Sequence, residues 1–297
     1  MRLRVAACAY PVEAPLDFAA YADKQARWVE AAAEQGAQLL VFPEYASVEL
    51  TSALAADVRG DLARELVALQ PWLPGLLETF SALAAKHHLH ILGPSFPELA
   101  PTDGRFYNRA RLHTPDGRVG VAEKVQMTRF EAEEWGISAG AEAAVFDTAL
   151  GTLGVAICYD SEFPLLVRAQ VAQGAQLILV PSNTDTFAGY HRVALSCRAR
   201  ALENQCYVLQ APTVGEAPGS LALDHNHGAA AVYGPVDRGF TDDGVIARGA
   251  LDVPGWVMAD LDLDALAHVR EHGQVRNSRD WDNAGHVAAR STRASLR

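Results

Sequence analysis

The segment Gly36-Ala37-Gln38-Leu39-Leu40-Val41-Phe42-Pro43-Glu44 has a second version at Gly174-Ala175-Gln176-Leu177-Ile178-Leu179-Val180-Pro181-Ser182. Each starts with a glycine that stops a helix, runs on as a short apolar stretch and ends in proline. A short apolar run bounded by such signals reads as a buried strand. Each copy is followed by a helix and another strand. The repeat is too widely spaced for a solenoid. It describes two related βαβ halves about a pseudo-twofold axis, with helices outside a pair of sheets. If the halves pack sheet against sheet, both strand ends face one cleft.

The rest of the chain fits one α/β unit. Leu3 to Ala9 reads as a first strand, and Asp17 as the N-cap of a helix running to Gln35. A short helix from Asp61 to Gln70 is broken by Pro71 and Pro74. A helix over Leu76–His88 leads to a strand over Leu89–Gly93. Tyr107–His113 and Arg118–Lys124 flank Thr114-Pro115-Asp116-Gly117, a hairpin with turn residues in its loop. Ala144–Thr148 and Leu153–Ile157 form a second hairpin, followed by a helix from Glu162 to Gln173. Gln176–Val180 is a strand, Tyr190–Asn204 a helix and Cys206–Gln210 a strand. Residues 213–228, rich in Gly, Pro and His, read as a long loop. Ala229–Tyr233, Val245–Ala250 and Trp256–Asp260 are strands, and Asp262–Glu271 is a last helix. No linker or composition shift divides residues 1–272. The tail, 273–297, is polar and basic with little periodicity; it is expected either to be disordered or to pack on a partner subunit.

Composition excludes several classes. With 297 residues, 49% hydrophobic and 21% charged, the chain has ample material for a globular core. A net charge of -11 argues against a nucleic-acid partner, since phosphate binding needs a basic patch. The cysteines at 8, 158, 197 and 206 form no CxxC pair, which leaves no zinc-ribbon or thioredoxin signature. The N-terminus enters a strand without a signal-peptide core, and no apolar run has membrane-spanning length. The expectation is a cytoplasmic, reducing setting without a membrane partner.

Three polar residues stand at strand ends, where open α/β sheets place their chemistry. Glu44 follows the first repeated strand, Lys124 ends the first hairpin, and Cys158 ends the second. A cysteine at a strand-to-helix turn lies near N–H donors that favour the nucleophilic thiolate; a buried structural cysteine is the alternative. A thiol, a carboxylate to move its proton and a lysine to face a developing oxyanion suffice for acyl transfer. The Tyr159 N–H is a candidate second oxyanion donor. No histidine holds a comparable position, so a papain-like pair is disfavoured. Tyr45, Asn183 and Glu162, beside these strand ends, are candidate substrate contacts. Glu162 is equally explained as an acid favoured at a helix N-terminus.

Four segments together resemble the nitrilase superfamily of carbon–nitrogen hydrolases: Phe42-Pro43-Glu44, Glu123-Lys124-Val125-Gln126-Met127-Thr128-Arg129-Phe130-Glu131, Cys158-Tyr159-Asp160-Ser161-Glu162-Phe163-Pro164 and Arg198-Ala199-Arg200-Ala201-Leu202-Glu203-Asn204-Gln205. Lys124 follows Glu44 by 80 residues and Cys158 follows Lys124 by 34, spacings that fit the family. The resemblance spans about residues 3 to 270. It implies a four-layer αββα sandwich, with subunits pairing through helices into a homodimer or higher homo-oligomer. It implies Glu44 as general base, Lys124 as oxyanion-stabilising lysine and Cys158 as nucleophile. It also implies a second glutamate, matched by Glu131 with Glu134 as the alternative. No metal or organic cofactor is implied.

Cys158-Tyr159-Asp160 resembles amidase-like branches, whereas true nitrilases usually carry Cys-Trp-Glu. Branches acting on ω-amides of dicarboxylates tend to place an arginine between this Asp and Phe-Pro; here Ser161-Glu162 stands there. A small neutral or cationic amide is therefore the expected substrate, with N-carbamoyl compounds and nitriles as alternatives. Two other classes compete. The His225-x-His227 pair could ligate zinc, but no second His/Asp cluster accompanies it, and His87 and His90 straddle a helix–strand boundary. A non-catalytic scaffold would be expected to have lost one of Glu44, Lys124 and Cys158.

Overall fold

The computed structural model describes residues 1–217, 219–290 and 292–295. Its centre is the strand Arg2–Pro11, which pairs in parallel with Leu39–Val41 and antiparallel with Gly255–Asp262. Beyond Leu39–Val41 the first sheet continues through His90–Leu92 to Phe106–His113, and then to Phe96–Leu99 and Val119–Glu123. At its far end Arg2–Pro11 changes partner. Tyr10 and Pro11 align with Thr213 and Val214 of Tyr207–Glu216. That strand belongs to the second sheet, with Leu177–Ser182, Gly151–Val155 and Val145–Thr148 on one side and Ala231–Tyr233 and Val245–Arg248 on the other.

The two-residue period of a strand sorts side chains between layers. Along Arg2–Pro11, Val5, Ala7 and Ala9 pack toward the second sheet, in one cluster with Leu153, Leu177 and Val208. Ala6, Cys8 and Tyr10 point the other way, onto Tyr21 and Val29 of the helix Phe18–Glu34 and Phe80 of the helix Leu73–His87. The second sheet is covered by Val167 of the helix Pro164–Ala172 and by Val193 and Cys197 of Phe187–Asn204. The layers are helix, sheet, sheet and helix, as the repeated segment implied.

Local signals set the boundaries. The Asp17 carboxylate accepts from the Ala20 N–H at 2.8 Å and starts the first helix, and Gly36, at φ +78°, follows its end. Four expectations need correction. The helix predicted from Glu162 is split: a tight turn covers Cys158–Glu162, Phe163 is extended, and the α-helix is Pro164–Ala172. Proline is suited to a first helical position and biases its predecessor out of the helical region. Residues 213–228 are not all loop, because the strand Tyr207–Glu216 runs on and pairs through Gly215 and Glu216 with Asn226 and His225. Phe96–Leu99 is an unanticipated strand. The tail contains a helix, Asn277–Ala288, docked on the body. Trp281 Nε1 donates to the Glu203 carbonyl at 3.0 Å, and the Ser278 hydroxyl donates to Gln205 Oε1 at 3.0 Å.

Candidate active site

The repeated segments deliver their ends to one point. Glu44 ends the first copy and Asn183 follows the second, and the Asn183 N–H donates to Glu44 Oε2 at 3.0 Å. Lys124, at the end of its hairpin strand, lies between two carboxylates. Its Nζ is 2.8 Å from Glu44 Oε1 and 2.6 Å from Glu131 Oε2. Glu44, Lys124, Glu131 and Cys158 are all 5% exposed or less. Isolated charges at such depth are prohibitively costly; a cation flanked by two anions is tolerated.

Each carboxylate is aimed by further donors. Asn108 Nδ2 donates to Glu44 Oε1 at 2.9 Å. Glu131 accepts from the Tyr45 hydroxyl at 2.8 Å and from the Thr128 N–H and hydroxyl at 3.0 and 2.9 Å. Glu134, the alternative second glutamate, is exposed. Tyr45 is not on the cleft wall as expected for a substrate contact: it is buried, its ring tilted against that of Trp135 with centroids 4.6 Å apart, and its hydroxyl is committed to Glu131.

Cys158 sits on a tight turn with φ +47°, and Tyr45, next to Glu44, has φ +55°. Left-handed backbone at two non-glycine residues costs on the order of 1–3 kcal/mol each and persists only where the surroundings enforce it. One enforcing group is Asp160. Its carboxylate accepts from the Ile157 N–H at 3.2 Å and from the Val125 and Gln126 N–H groups at 3.1 and 2.7 Å, tying the cysteine turn to the lysine segment. Ser161 Oγ donates to the Cys158 carbonyl at 2.6 Å. Burial raises the Asp160 carboxyl to about 6 despite its three N–H donors.

The protonation pattern corrects one expectation. Burial, reinforced by Glu44, pushes the Cys158 thiol well above its ordinary value, against the pull of Lys124. That direction favours a resting thiol, against the expectation that N–H donors at the turn favour the thiolate. Glu44 is raised to about 7, first by burial and then by Glu131, with Lys124 and the Cys158 hydrogen bond opposing. Burial opposes the charge on Lys124, yet Glu131, Glu44 and Cys158 hold its pKa above the usual lysine value. Burial also opposes the charge on Glu131, but Lys124, Thr128 and Tyr45 outweigh it and hold that carboxyl below its ordinary value. The group thus contains a fixed cation, a fixed anion and one carboxylate poised to gain or lose a proton beside a thiol.

Cys158 opens onto a cleft of about 580 Å³. Tyr159, Glu162, Asn183 and Phe130 are among its walls, with Asp185, Asp224, Arg129 and Arg192 toward solvent. Glu162 pairs with Arg192 at 3.4 Å, and Arg129 pairs with Glu133 at 2.9 Å. Sequence reasoning missed Asn108. Its signal was an asparagine sharing a strand face with Ala110 and Leu112, all three buried. The histidine pair is spent elsewhere. His227 Nδ1 is 3.0 Å from Asp252 and its ring is 4.2 Å from Phe187, while His225 is exposed beside Glu216. Among the described residues, no group of three or more His, Cys, Asp or Glu side chains is arranged to hold a metal ion. Nor is any helix there long and apolar enough to cross a membrane.

An αββα sandwich with a buried thiol, lysine and glutamate at its strand ends, and a second glutamate on an adjoining turn, defines a class of cysteine-centred α/β hydrolase folds. Residues 4–271 match the carbon-nitrogen hydrolase family, and the chain belongs to that family. It is 32% identical over 278 residues to "Probable hydrolase YhcX" of Bacillus subtilis, covering 94% of this chain and 53% of that protein, so it spans about half of that relative's length. It is 30% identical over 268 residues to "Omega-amidase NIT2-B" of Xenopus laevis, covering 86% of this chain and 88% of the relative. Among solved structures, a mutant of the Nesterenkonia AN1 amidase from the nitrilase superfamily superposes with TM-score 0.66 at 25% identity, covering 89% of this chain and 93% of that one. Saccharomyces cerevisiae Nit3 superposes with TM-score 0.72 at 24% identity, covering 91% and 93%, a likeness of fold.

Proposed function

We propose that this protein hydrolyses a small neutral or cationic amide through a thioester on Cys158. The observation that carries this reading is the meeting of thiol, ammonium and two carboxylates, from three separate segments, with the thiol lining an open cleft. Glu44 takes the thiol proton as sulfur attacks the amide carbon. Lys124 and the Tyr159 N–H hold the oxyanion. The C–N bond breaks as Glu44 passes its proton to the departing nitrogen, leaving a thioester and ammonia or amine. Glu44 then deprotonates a water that attacks the thioester, and the proton returns to the departing sulfur. Glu131 keeps Lys124 charged and aimed. Side chains, one backbone N–H and water balance every step.

Substrate charge is read from the cleft. Glu162 neutralises Arg192, and Asp185 and Asp224 remain at the mouth. This supports an uncharged or cationic amide over one bearing a free carboxylate. Ammonia release from a panel of primary amides, N-carbamoyl compounds and nitriles tests it, with Cys158→Ala as the inactive control. Neutral amides should turn over faster than glutaramate-type ω-amides by about tenfold, a difference worth about 1.4 kcal/mol. A reversed preference would refute the substrate assignment and leave the chemistry standing.

The same reading makes residues 1–272 one catalytic domain and gives the reduced thiol a cytoplasmic setting. A homo-oligomer paired through the outer helices, with the 273–297 tail beside the pairing face, is supported by Leu165, Leu195 and Leu202, which are 75%, 67% and 41% exposed. Sedimentation velocity at micromolar concentration should give a dimer or larger species; a monomer would refute this pairing.

A further inference from the structure

Asn183 reaches both reacting groups through its backbone. Its N–H donates to Glu44 Oε2 at 3.0 Å, and its carbonyl accepts from Cys158 Sγ at 3.5 Å. Its side chain is used differently. Nδ2 donates to Thr213 Oγ1 and to Asn226 Oδ1, both at 2.6 Å. Thr213 is fully buried and Asn226 is 1% exposed. Asn226 Nδ2 in turn donates to the carbonyls of Gly215 at 3.2 Å and Leu223 at 2.8 Å. Those two acceptors fix the amide's orientation, so its oxygen must face Asn183. The Leu223 carbonyl belongs to a segment whose Leu221 and Ala222 line the cleft. A buried amide therefore joins the cleft wall to a residue that touches both thiol and base.

We propose that Asn226 and Thr213 are positioning residues: they clamp the Asn183 side chain so that its peptide groups hold Glu44 and Cys158 in register. The inference rests on the thioester reading above. An unclamped asparagine regains rotamer freedom, and its N–H spends less time on the Glu44 carboxylate. A carboxylate that loses a donor is a weaker acid. The charged and titratable groups facing Glu44 are Lys124, Glu131, Cys158 and Tyr45, and Asp185, Asp224 and His225 lie on the outer segments beside the clamp. None is altered by changing Asn226 or Thr213. Loosening the clamp should therefore shift Glu44 ionisation, and with it the acid limb of the pH profile, to higher pH.

Two pH profiles test this on the full chain. One is kcat/KM for a neutral primary amide. The other is the rate of Cys158 alkylation by iodoacetamide, followed by peptide mass spectrometry, which needs no amide turnover. Asn226→Ala should lower kcat/KM by about 10²-fold, the scale of a small misplacement of reacting groups, chiefly through kcat. Its acid limb should move to higher pH in both profiles. Thr213→Val keeps the side-chain shape and removes one acceptor; it should move both limbs the same way by a smaller step. Variants that melt at lower temperature but keep their limbs at the wild-type pH would show a merely structural network and overturn the proposal. If Asn226→Ala does not fold, Thr213→Val decides alone. A wild-type Cys158 inert to the reagent across the pH range would remove the nucleophile reading and the clamp with it; a reactive wild type with unshifted variants would remove the clamp only.

Discussion

Replacing Glu44 by glutamine should lower amide turnover by about three orders of magnitude, within the range expected for loss of a general base. Glu44 is held by donors: Lys124 Nζ, Asn108 Nδ2 and the Asn183 N–H. Glutamine must turn an NH₂ toward one of them, so it loses the proton acceptor and weakens the framework together. The pH profile gives the sharper reading. Glu44 titrates at about 7, and only its ionised form can take the thiol proton. Wild-type turnover should fall as pH drops through about 7, and the glutamine variant should show no such limb. Turnover within tenfold of wild type, or a limb surviving near 7, would remove Glu44 from the base role.

The residues most legible in the sequence are those whose position follows from strand ends. Glu44, Lys124 and Cys158 each terminate an apolar run, and a strand end in a paired-sheet fold has few places to go. The layered architecture was legible for the same reason, since the repeated Gly-strand-Pro segments dictate two similar halves. What sequence could not resolve is which neighbours turn inward. Glu131 and Glu134 differ by three residues on one irregular turn, and only the fold buries the first and exposes the second. Tyr45 stood beside a strand end but spends its hydroxyl on Glu131, because its left-handed backbone turns it away from the cleft.

Long-range polar partners were invisible for a different reason. Asn226 lies 43 residues from Asn183, in a stretch whose glycine, proline and histidine content reads as loop. The pairing that buries it is set by the return strand and not by any local pattern. The tail helix Asn277–Ala288 buries none of its residues fully. It is held by the Trp281 indole, with Arg168 5.5 Å from its ring, and by Ser278 on Gln205, polar partners that hydrophobic periodicity does not report. The thiolate expectation weighed the turn's N–H groups, which lower a thiol's pKa, and not burial beside a carboxylate, which pushes Cys158 up.

Lys124→Met should produce the largest loss of stability, about 3–5 kcal/mol by denaturant unfolding at pH 7 to 8, the cost of stranding buried charge. Methionine fills most of the volume and supplies no charge, so Glu44 and Glu131 face each other across an apolar side chain. The sign of the pH dependence follows from Glu131. In the wild type its folded pKa lies below the ordinary 4.5, so its contribution to stability is present above about 4.5 and lost as pH falls through the folded value. The variant lacks that contribution. The two proteins should approach each other in stability in acid, diverge as pH rises from the folded Glu131 value to about 4.5, and diverge again as Glu44 ionises above about 7. Adding Glu131→Gln to the variant removes one stranded carboxylate and should recover part of the loss, giving a non-additive cycle. Turnover should stay low in the double variant, by at least about 10²-fold, because the oxyanion has lost its cation. Stability unchanged within about 0.5 kcal/mol across pH, the scatter of an ordinary surface substitution, would mean that the lysine is not the charge around which these two carboxylates are built.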